Sequence, residues 1–393
     1  MILQIFIGSV CALVFAATLA VYGIFSTSII AYSMAVWAVM CMYINRYKAV
    51  LLTAAVSVAT VVVWGVVSIS GIAQKNAVSP EQYLAEYDRE LAVYAFSADK
   101  NMKMTLKAGE LARADKTIEP VSRDITFVTD SNGLRNDHEL RKDDIILLGG
   151  SFISGVGNSQ ESLVSSILEK EYSVGAYNVA STGTLDEQVL LLRTITKNKV
   201  EKNKVILFLF EGEDFKNFST EVHYPFRRLV TSLSNSELGR LFRIYAGTKP
   251  VSNVTEVVTY PVGGKSIAFS KKYVDETLRQ NIELDPNLPM LLKSMQDVVQ
   301  AVVFIPTKYR VYTQLVTEDI SQSHNSAHWE QLRTVCESIG VPAYDLTPHL
   351  QAEAVQKWGQ DNSVIWWQDD IYWNKSGAQV AAQLVNDIVK GNL

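Results

Sequence analysis

Charge is missing from the start of this chain. No Asp, Glu, Lys or Arg occurs between Met1 and Asn45; Arg46 and Lys48 follow, and the next charge is Lys75. A helix at a protein–water boundary carries a charged face, so this stretch is excluded as ordinary soluble surface. Cysteine is nearly absent as well. Of the three, Cys11 and Cys41 lie in the uncharged stretch and Cys336 stands alone in the remainder, which excludes a disulfide framework. There is no basic surplus either: 36 Lys and Arg face 41 Asp and Glu, a net charge of -5 that offers nucleic acid no footprint. A secretory signal, with its basic start and one short apolar core, is not there. Nor is any internal repeat or low-complexity tract.

What is there begins with length. At 393 residues and 48% hydrophobic content the chain has room for two ordinary domains. Turns at Phe25-Ser26-Thr27-Ser28 and Asn45-Arg46-Tyr47-Lys48 divide the early apolar region into three runs, 2–24, 29–44 and 49–72. A bilayer core takes about 20 apolar residues per helix, which predicts three transmembrane helices and a membrane as partner. Arg46 and Lys48 mark the loop between the second and third runs as cytoplasmic, so everything after residue 72 is expected outside, on a multi-pass cell-membrane protein.

Beyond the apolar runs, Ser79-Pro80-Glu81-Gln82 has N-cap and first-turn chemistry and predicts a helix start. Tyr83, Tyr87, Leu91 and Tyr94 come next at helical spacing as one aromatic stripe, packed on the globular part or lying at the membrane surface. Residues 100–124 are charged and without strong period, so 73–124 reads as a helical linker. Strand and helix then alternate: strands at 125–129, 144–148, 176–180, 205–210, 301–305 and 343–345, and helices at 161–172, 185–197, 327–339 and 377–389. Asn132-Gly133 signals a tight turn. The unbroken apolar run 205–210 is what a parallel strand covered on both faces requires. The stretch 216–290, with Pro225, Pro250, Pro261 and Gly263-Gly264, reads as an insertion in a domain spanning 125–393. The pattern predicts an α/β domain built on a doubly wound parallel sheet, with ligands at the carboxyl ends of its strands.

At one such end stands Gly149-Gly150-Ser151, a strand ending in two glycines and a serine. Alone, that turn could display a nucleophile, hold a phosphate or cap a helix. Taken with three later segments, it resembles the SGNH (GDSL-type) esterase superfamily, in particular the membrane-anchored, polysaccharide-associated branch that includes alginate acetylation proteins. Gly149-Gly150-Ser151 is similar to the family's first block without its aspartate. Asn178-Val179-Ala180-Ser181-Thr182-Gly183 is similar to the second. Glu211-Gly212-Glu213-Asp214 is similar to the third, with Glu213 in place of an asparagine. Asp369-Asp370-Ile371-Tyr372-Trp373-Asn374-Lys375-Ser376-Gly377 is similar to the last, with Tyr372 in place of a histidine. Ile305-Pro306-Thr307-Lys308, Val311-Tyr312 and Asp345-Leu346-Thr347-Pro348 are further landmarks, so the resemblance runs from residue 125 to the C-terminus.

The resemblance implies a three-layer α/β/α fold. It also implies a site in which Ser151 attacks an ester carbonyl, Gly183 and the residue at 213 stabilise the oxyanion, and Asp369 or Asp370 orients a base at 372. Gly150, Asp214, Trp373 and Asn374 are implied as binding residues, with no cofactor and no metal. Two substitutions count against hydrolysis. A tyrosine, with a pKa of about 10, is a neutral donor near pH 7 and leaves the serine unactivated. A carboxylate at 213 puts negative charge where negative charge must develop, and losing one oxyanion donor alone costs about 10²–10³ in kcat. Of the five histidines, His223 comes after the third block and could serve as a base, as could Glu213 itself. His324 and His328 have i, i+4 spacing but no companion ligands for a metal. Trp366, Trp367 and Trp373 are core residues or a platform for sugar rings.

Three functions stand at this point. One is an SGNH-like pseudoenzyme in cell-surface polysaccharide modification, assembly or export, with polysaccharide or envelope proteins as partners. The second is an active carbohydrate esterase or O-acyltransferase using Ser151. The third is a membrane assembly subunit with no glycan role.

Overall fold

The computed structural model describes residues 74–75, 77–88, 93–181, 183–197, 204–215, 240, 254–317 and 326–393. The apolar runs 2–24, 29–44 and 49–72 lie outside them, and among the described residues no helix is long and apolar enough to cross a membrane. The chain divides into two compact units, Met1–Val78 with Val222–Val251 and Ser79–Glu221 with Ser252–Leu393. The second holds the secondary-structure elements named in this section.

Helix α1 (Pro80–Leu84) starts where the capping signal puts it, with the Ser79 hydroxyl accepting from the Gln82 amide at 3.2 Å. It then stops after one turn. Ala85 is extended, and β1 (Ala85–Asp88) pairs antiparallel with β2 (Val93–Phe96), Tyr87 opposite Tyr94. The expected aromatic stripe on a long helix is therefore corrected: Tyr87 and Tyr94 are cross-strand partners, and Leu91 lies outside the described residues. Aromatic and β-branched residues suit a pleated surface, and pairing overrode the helical spacing. The helical linker expected over 73–124 is corrected too. Strand β3 (Asn101–Leu106) pairs antiparallel with β4 (Arg123–Val128), and a short helix, α2 (Glu110–Ala114), lies between them. Met102, Leu106, Ile125 and Phe127 alternate inward and bury a small core with Leu84 and Phe96. Burial with period two is why no helical period showed in this charged segment.

The main body comes next: β5 (Ile145–Leu148), α3 (Ser151–Ser154), α4 (Val164–Tyr172), β6 (Ala176–Asn178), α5 (Leu185–Ile195) and β7 (Val205–Phe210). After it are the hairpin β8 (Val257–Val262) and β9 (Lys265–Ser270), then α6 (Lys271–Thr277) and α7 (Asn287–Met295). The chain closes with β10 (Val299–Ile305), α8 (Lys308–Val316), α9 (Ala327–Ile339), β11 (Ala343–Asp345), α10 (Thr347–Asp361) and α11 (Lys375–Lys390). Strands β11-β10-β7-β5-β6 form one five-stranded sheet, every pair parallel. This α/β architecture with a parallel sheet is consistent with an SGNH-like fold.

Side chains alternate across that sheet. Ile145, Leu147, Ile206, Phe208, Ala301 and Val303 face a core shared with α4, α8, α10 and α11. Ile146, Leu148, Val205, Leu207, Val302 and Phe304 face a second core shared with α5, α7 and α9. Both faces are covered, which accounts for the uninterrupted apolar strands. The β8–β9 hairpin turns at Gly263-Gly264, both with positive φ, as a tight hairpin turn demands.

Candidate active site

The sheet order fixes where a ligand belongs. In sequence rank the five strands run 2-1-3-4-5, so the order reverses between β5 and β7. In an open parallel sheet, ligands bind at such a reversal, beyond the carboxyl ends of the strands. Ser151 comes directly after β5, and Glu211–Asp214 directly after β7. The sequence blocks thus meet at the switch point.

Gly150 caps the four-residue helix α3 and Ser151 is its first residue, half-buried. Gly149 allows the turn: a Cβ there would stand 2.9 Å from Ile153 and 3.1 Å from Phe208. The segment after Ser151 is held by side chains that carry no local sequence signal. Arg135, fully buried, donates to the carbonyls of Ser154 at 3.0 Å and Gly155 at 2.6 Å, and lies 4.2 Å over the Phe127 ring. Asn158 donates to the Trp373 carbonyl at 2.9 Å and accepts from the Trp367 indole at 3.2 Å. Asn158 therefore ties the Ser151 segment to the 366–373 segment across 215 residues of sequence.

Through that tie Tyr372 reaches Ser151. Its phenol lies close enough to the Ser151 side chain to interact with it, where a triad would place imidazole. Burial holds the Tyr372 pKa well above the ordinary phenol value. The charges of Glu110, Asp370 and Glu213 push the same way, against the opposing pull of the Ser151 side chain. A phenol that resists ionisation cannot take a proton from serine near neutral pH. Phe152 packs at 5.3 Å from Tyr372 and 4.9 Å from Trp373, fixing the ring from below.

The two aspartates beside Tyr372 are committed elsewhere. Asp369 and Asp370 are buried, and Arg123 spans them, donating to Asp369 at 3.0 Å and also to Asp370. Asp369 accepts in addition from the Gly109 amide at 2.6 Å and the Val121 amide at 2.9 Å. Asp370 accepts from the Glu110 and Ile371 amides at 3.2 and 2.8 Å. Gly109 has to be glycine, because a Cβ would stand 2.3 Å from the Asp369 carbonyl oxygen. Lys308, also buried, donates to the carbonyls of Trp367, Gln368 and Asp370 at 3.0, 3.3 and 3.0 Å. Burial lowers its pKa to about 7, against the raising charges of Asp370 and Asp369. Its three contacts with these carbonyls make Lys308 a clamp on this turn.

The third block differs from expectation. The Glu213 carboxylate accepts from the Tyr273 hydroxyl at 2.8 Å and from Lys272 at 2.9 Å, so it is engaged by α6. Asp214 is the acid that stands over the serine turn: a Cβ on Gly150 would lie 3.6 and 3.7 Å from its two carboxylate oxygens. One of those oxygens accepts from the Phe210 amide at 2.7 Å. Burial pushes the Asp214 pKa up to about 7; the Phe210 hydrogen bond opposes this and the Glu213 charge adds to it. Glu211 is buried and faces away, gripped by Arg310 at 2.6 Å, the Ser326 hydroxyl at 2.7 Å and the Thr307 amide at 3.1 Å. Gly183 lies beyond β6 at the start of α5, where Thr184 and Glu187 form the capping box.

The remaining candidates resolve by position. Trp366 and Trp373 are fully buried core, so neither is a sugar platform; Trp367 is half-buried with Arg123 4.4 Å over its ring. Asn374 caps α11, accepting from Ser376 at 2.9 Å and donating to the Val364 carbonyl at 2.7 Å. His328 is buried with Nε2 2.9 Å from Glu276. His223 and His324 lie outside the described residues. Asp137, His138 and Glu169 bring ligand atoms within 4.8 Å of one another, but Arg141 occupies the Glu169 carboxylate at 3.1 Å.

Comparison with known proteins adds one finding. No curated protein and no solved structure matches the chain. Residues 294–392 match the family model described as the SGNH hydrolase-like domain of the acetyltransferase AlgX. The matched stretch carries Lys308, Asp369, Asp370 and Tyr372, whereas Ser151, Gly183 and Glu213 lie before it. Over that stretch the chain is similar to an SGNH acetyltransferase domain, and the match supports the SGNH, alginate-acetylation-like branch.

Proposed function

We propose that this protein is a membrane-anchored, SGNH-like component of cell-surface polysaccharide modification, assembly or export, and that its own site binds an acylated or acylatable group without cleaving it. The polysaccharide part rests on the similarity of 294–392 to an SGNH acetyltransferase domain. The loss of cleavage rests on one placement, the buried Tyr372 phenol beside Ser151 with its pKa raised by burial. A serine so placed has a neutral phenol at the position where attack on an ester carbonyl needs a proton acceptor. Glu213 supports the same reading, because its carboxylate is engaged by Tyr273 and Lys272. The anchor and the extracytoplasmic placement rest on the uncharged first 45 residues and the basic pair Arg46 and Lys48.

The test is turnover of p-nitrophenyl acetate by the purified full-length chain. Wild type and Ser151→Ala are expected to match, at the uncatalysed rate. Turnover that Ser151→Ala abolishes would overturn the non-cleaving site. Extraction tests the anchor: the chain is expected to stay with membranes through carbonate washing and to leave them only in detergent.

A further inference from the structure

A missing histidine does not by itself explain how this site is stable. In a triad the imidazole neutralises the aspartate that orients it, so its loss orphans a buried carboxylate, and an unpaired buried charge is strongly destabilising. Here two adjacent carboxylates, Asp369 and Asp370, are 0% and 2% exposed and depend on partners within the protein. Arg123 supplies the positive charge to both, with Nη1 3.0 Å from Asp369 and Nη2 on Asp370. It comes from the first residue of β4, in the small antiparallel layer, 246 residues away in sequence from Asp369.

We infer that Arg123 is the positioning residue that keeps this site inert: it takes the place of the missing imidazole as the partner of the Asp369–Asp370 pair and holds both carboxylates away from position 372. The inference rests on the non-cleaving function proposed for the site and extends it. Each carboxylate already accepts three hydrogen bonds: Asp369 from Arg123, Gly109 and Val121, and Asp370 from Arg123, Glu110 and Ile371. The guanidinium is itself fixed, donating through Nε to the Gly157 carbonyl at 3.0 Å and lying over Trp367. A base restored at 372 alone would therefore meet Ser151 without an orienting carboxylate.

The experiment uses the full-length chain carrying Tyr372→His, alone and combined with Arg123→Gln or Arg123→Lys. Proton NMR reads whether the introduced imidazole shows the strongly deshielded N–H of an imidazole–carboxylate hydrogen bond. The rate of fluorophosphonate labelling at Ser151 reads whether the serine is activated. For Tyr372→His alone, no deshielded proton is expected. Releasing the pair with Arg123→Gln is expected to bring the deshielded proton and a labelling rate raised about a hundredfold over Tyr372→His alone, the low end of what positioned acid–base groups contribute. Arg123→Lys, which keeps charge but loses the fork, serves if the glutamine variant does not fold and is expected to fall between. A deshielded proton in Tyr372→His alone would overturn the inference, as would its absence when Arg123 is replaced in a folded double variant. Ser151-dependent turnover in wild type would sink the non-cleaving reading instead, and would leave the imidazole result standing on its own.

Discussion

Arg123 and Asp369, 246 residues apart, meet at 3.0 Å with both side chains buried, joining the small antiparallel layer to the turn that carries Tyr372. Removing one partner of a buried ion pair costs about 3–5 kcal/mol, because the other is left charged and dry. Arg123→Met should lower stability by that order in a denaturant titration. A fragment starting at residue 125 should fail to give a cooperative melt where one starting at 79 does. Equal melts would show that the antiparallel layer is dispensable.

Two glycines should separate cleanly. At Gly109 a Cβ meets the Asp369 carbonyl at 2.3 Å and the Asp370 Cβ at 2.7 Å, so Gly109→Ala should cost about 1–3 kcal/mol as overpacking. At Gly359, inside α10, nothing lies within 4 Å, and Gly359→Ala should stabilise by about 0.5–1 kcal/mol through helix propensity. Thermal melts of the two variants read both signs.

Asp214 gives the pH dependence. Its folded pKa is raised to about 7, so between its unfolded value near 3.8 and 7 the folded chain keeps a proton that the unfolded chain releases. Stability from this group is therefore full below the unfolded pKa and is lost as pH rises through about 7, with a slope of at most about 1.4 kcal/mol per pH unit. Asp214→Asn should flatten that part of the stability–pH curve while leaving other slopes in place.

Behind the site, Glu211 and Arg310 form a second buried pair at 2.6 Å. Arg310→Met should cost about 3–5 kcal/mol, and replacing both by apolar residues should recover much of it, since the penalty lies in the orphaned charge. Urea midpoints of the single and double variants check this. A double variant no better than the single would place the cost in lost packing.

The alternation of strands and helices was legible because each core strand is apolar throughout and each long helix has an inward stripe. Runs such as 205–210 and 327–339 declare themselves within one window. The antiparallel pairs β1–β2 and β3–β4 did not, because four to six residues of mixed polarity carry too little period and only pairing makes them strands. Helices α8 and α10 were also missed as elements, since their buried faces mix Lys308, Arg310 and Thr313 or Gln351 with apolar residues. The site was half legible. Ser151, Tyr372 and the two aspartates announced themselves by type and order, but Arg123, Arg135 and Asn158 had no local mark.

The sequence alone determined the uncharged first 45 residues, the parallel α/β order and a serine turn whose expected base is a tyrosine, because each is a property of neighbouring residues. Only the tertiary structure decided that Tyr372 comes beside Ser151, that Glu213 is taken up by Tyr273 and Lys272 while Asp214 overlooks the turn, and that Arg123 pairs with both aspartates. Those contacts join residues far apart in the chain. Strand order and burial set them, and no spacing in the sequence encodes either.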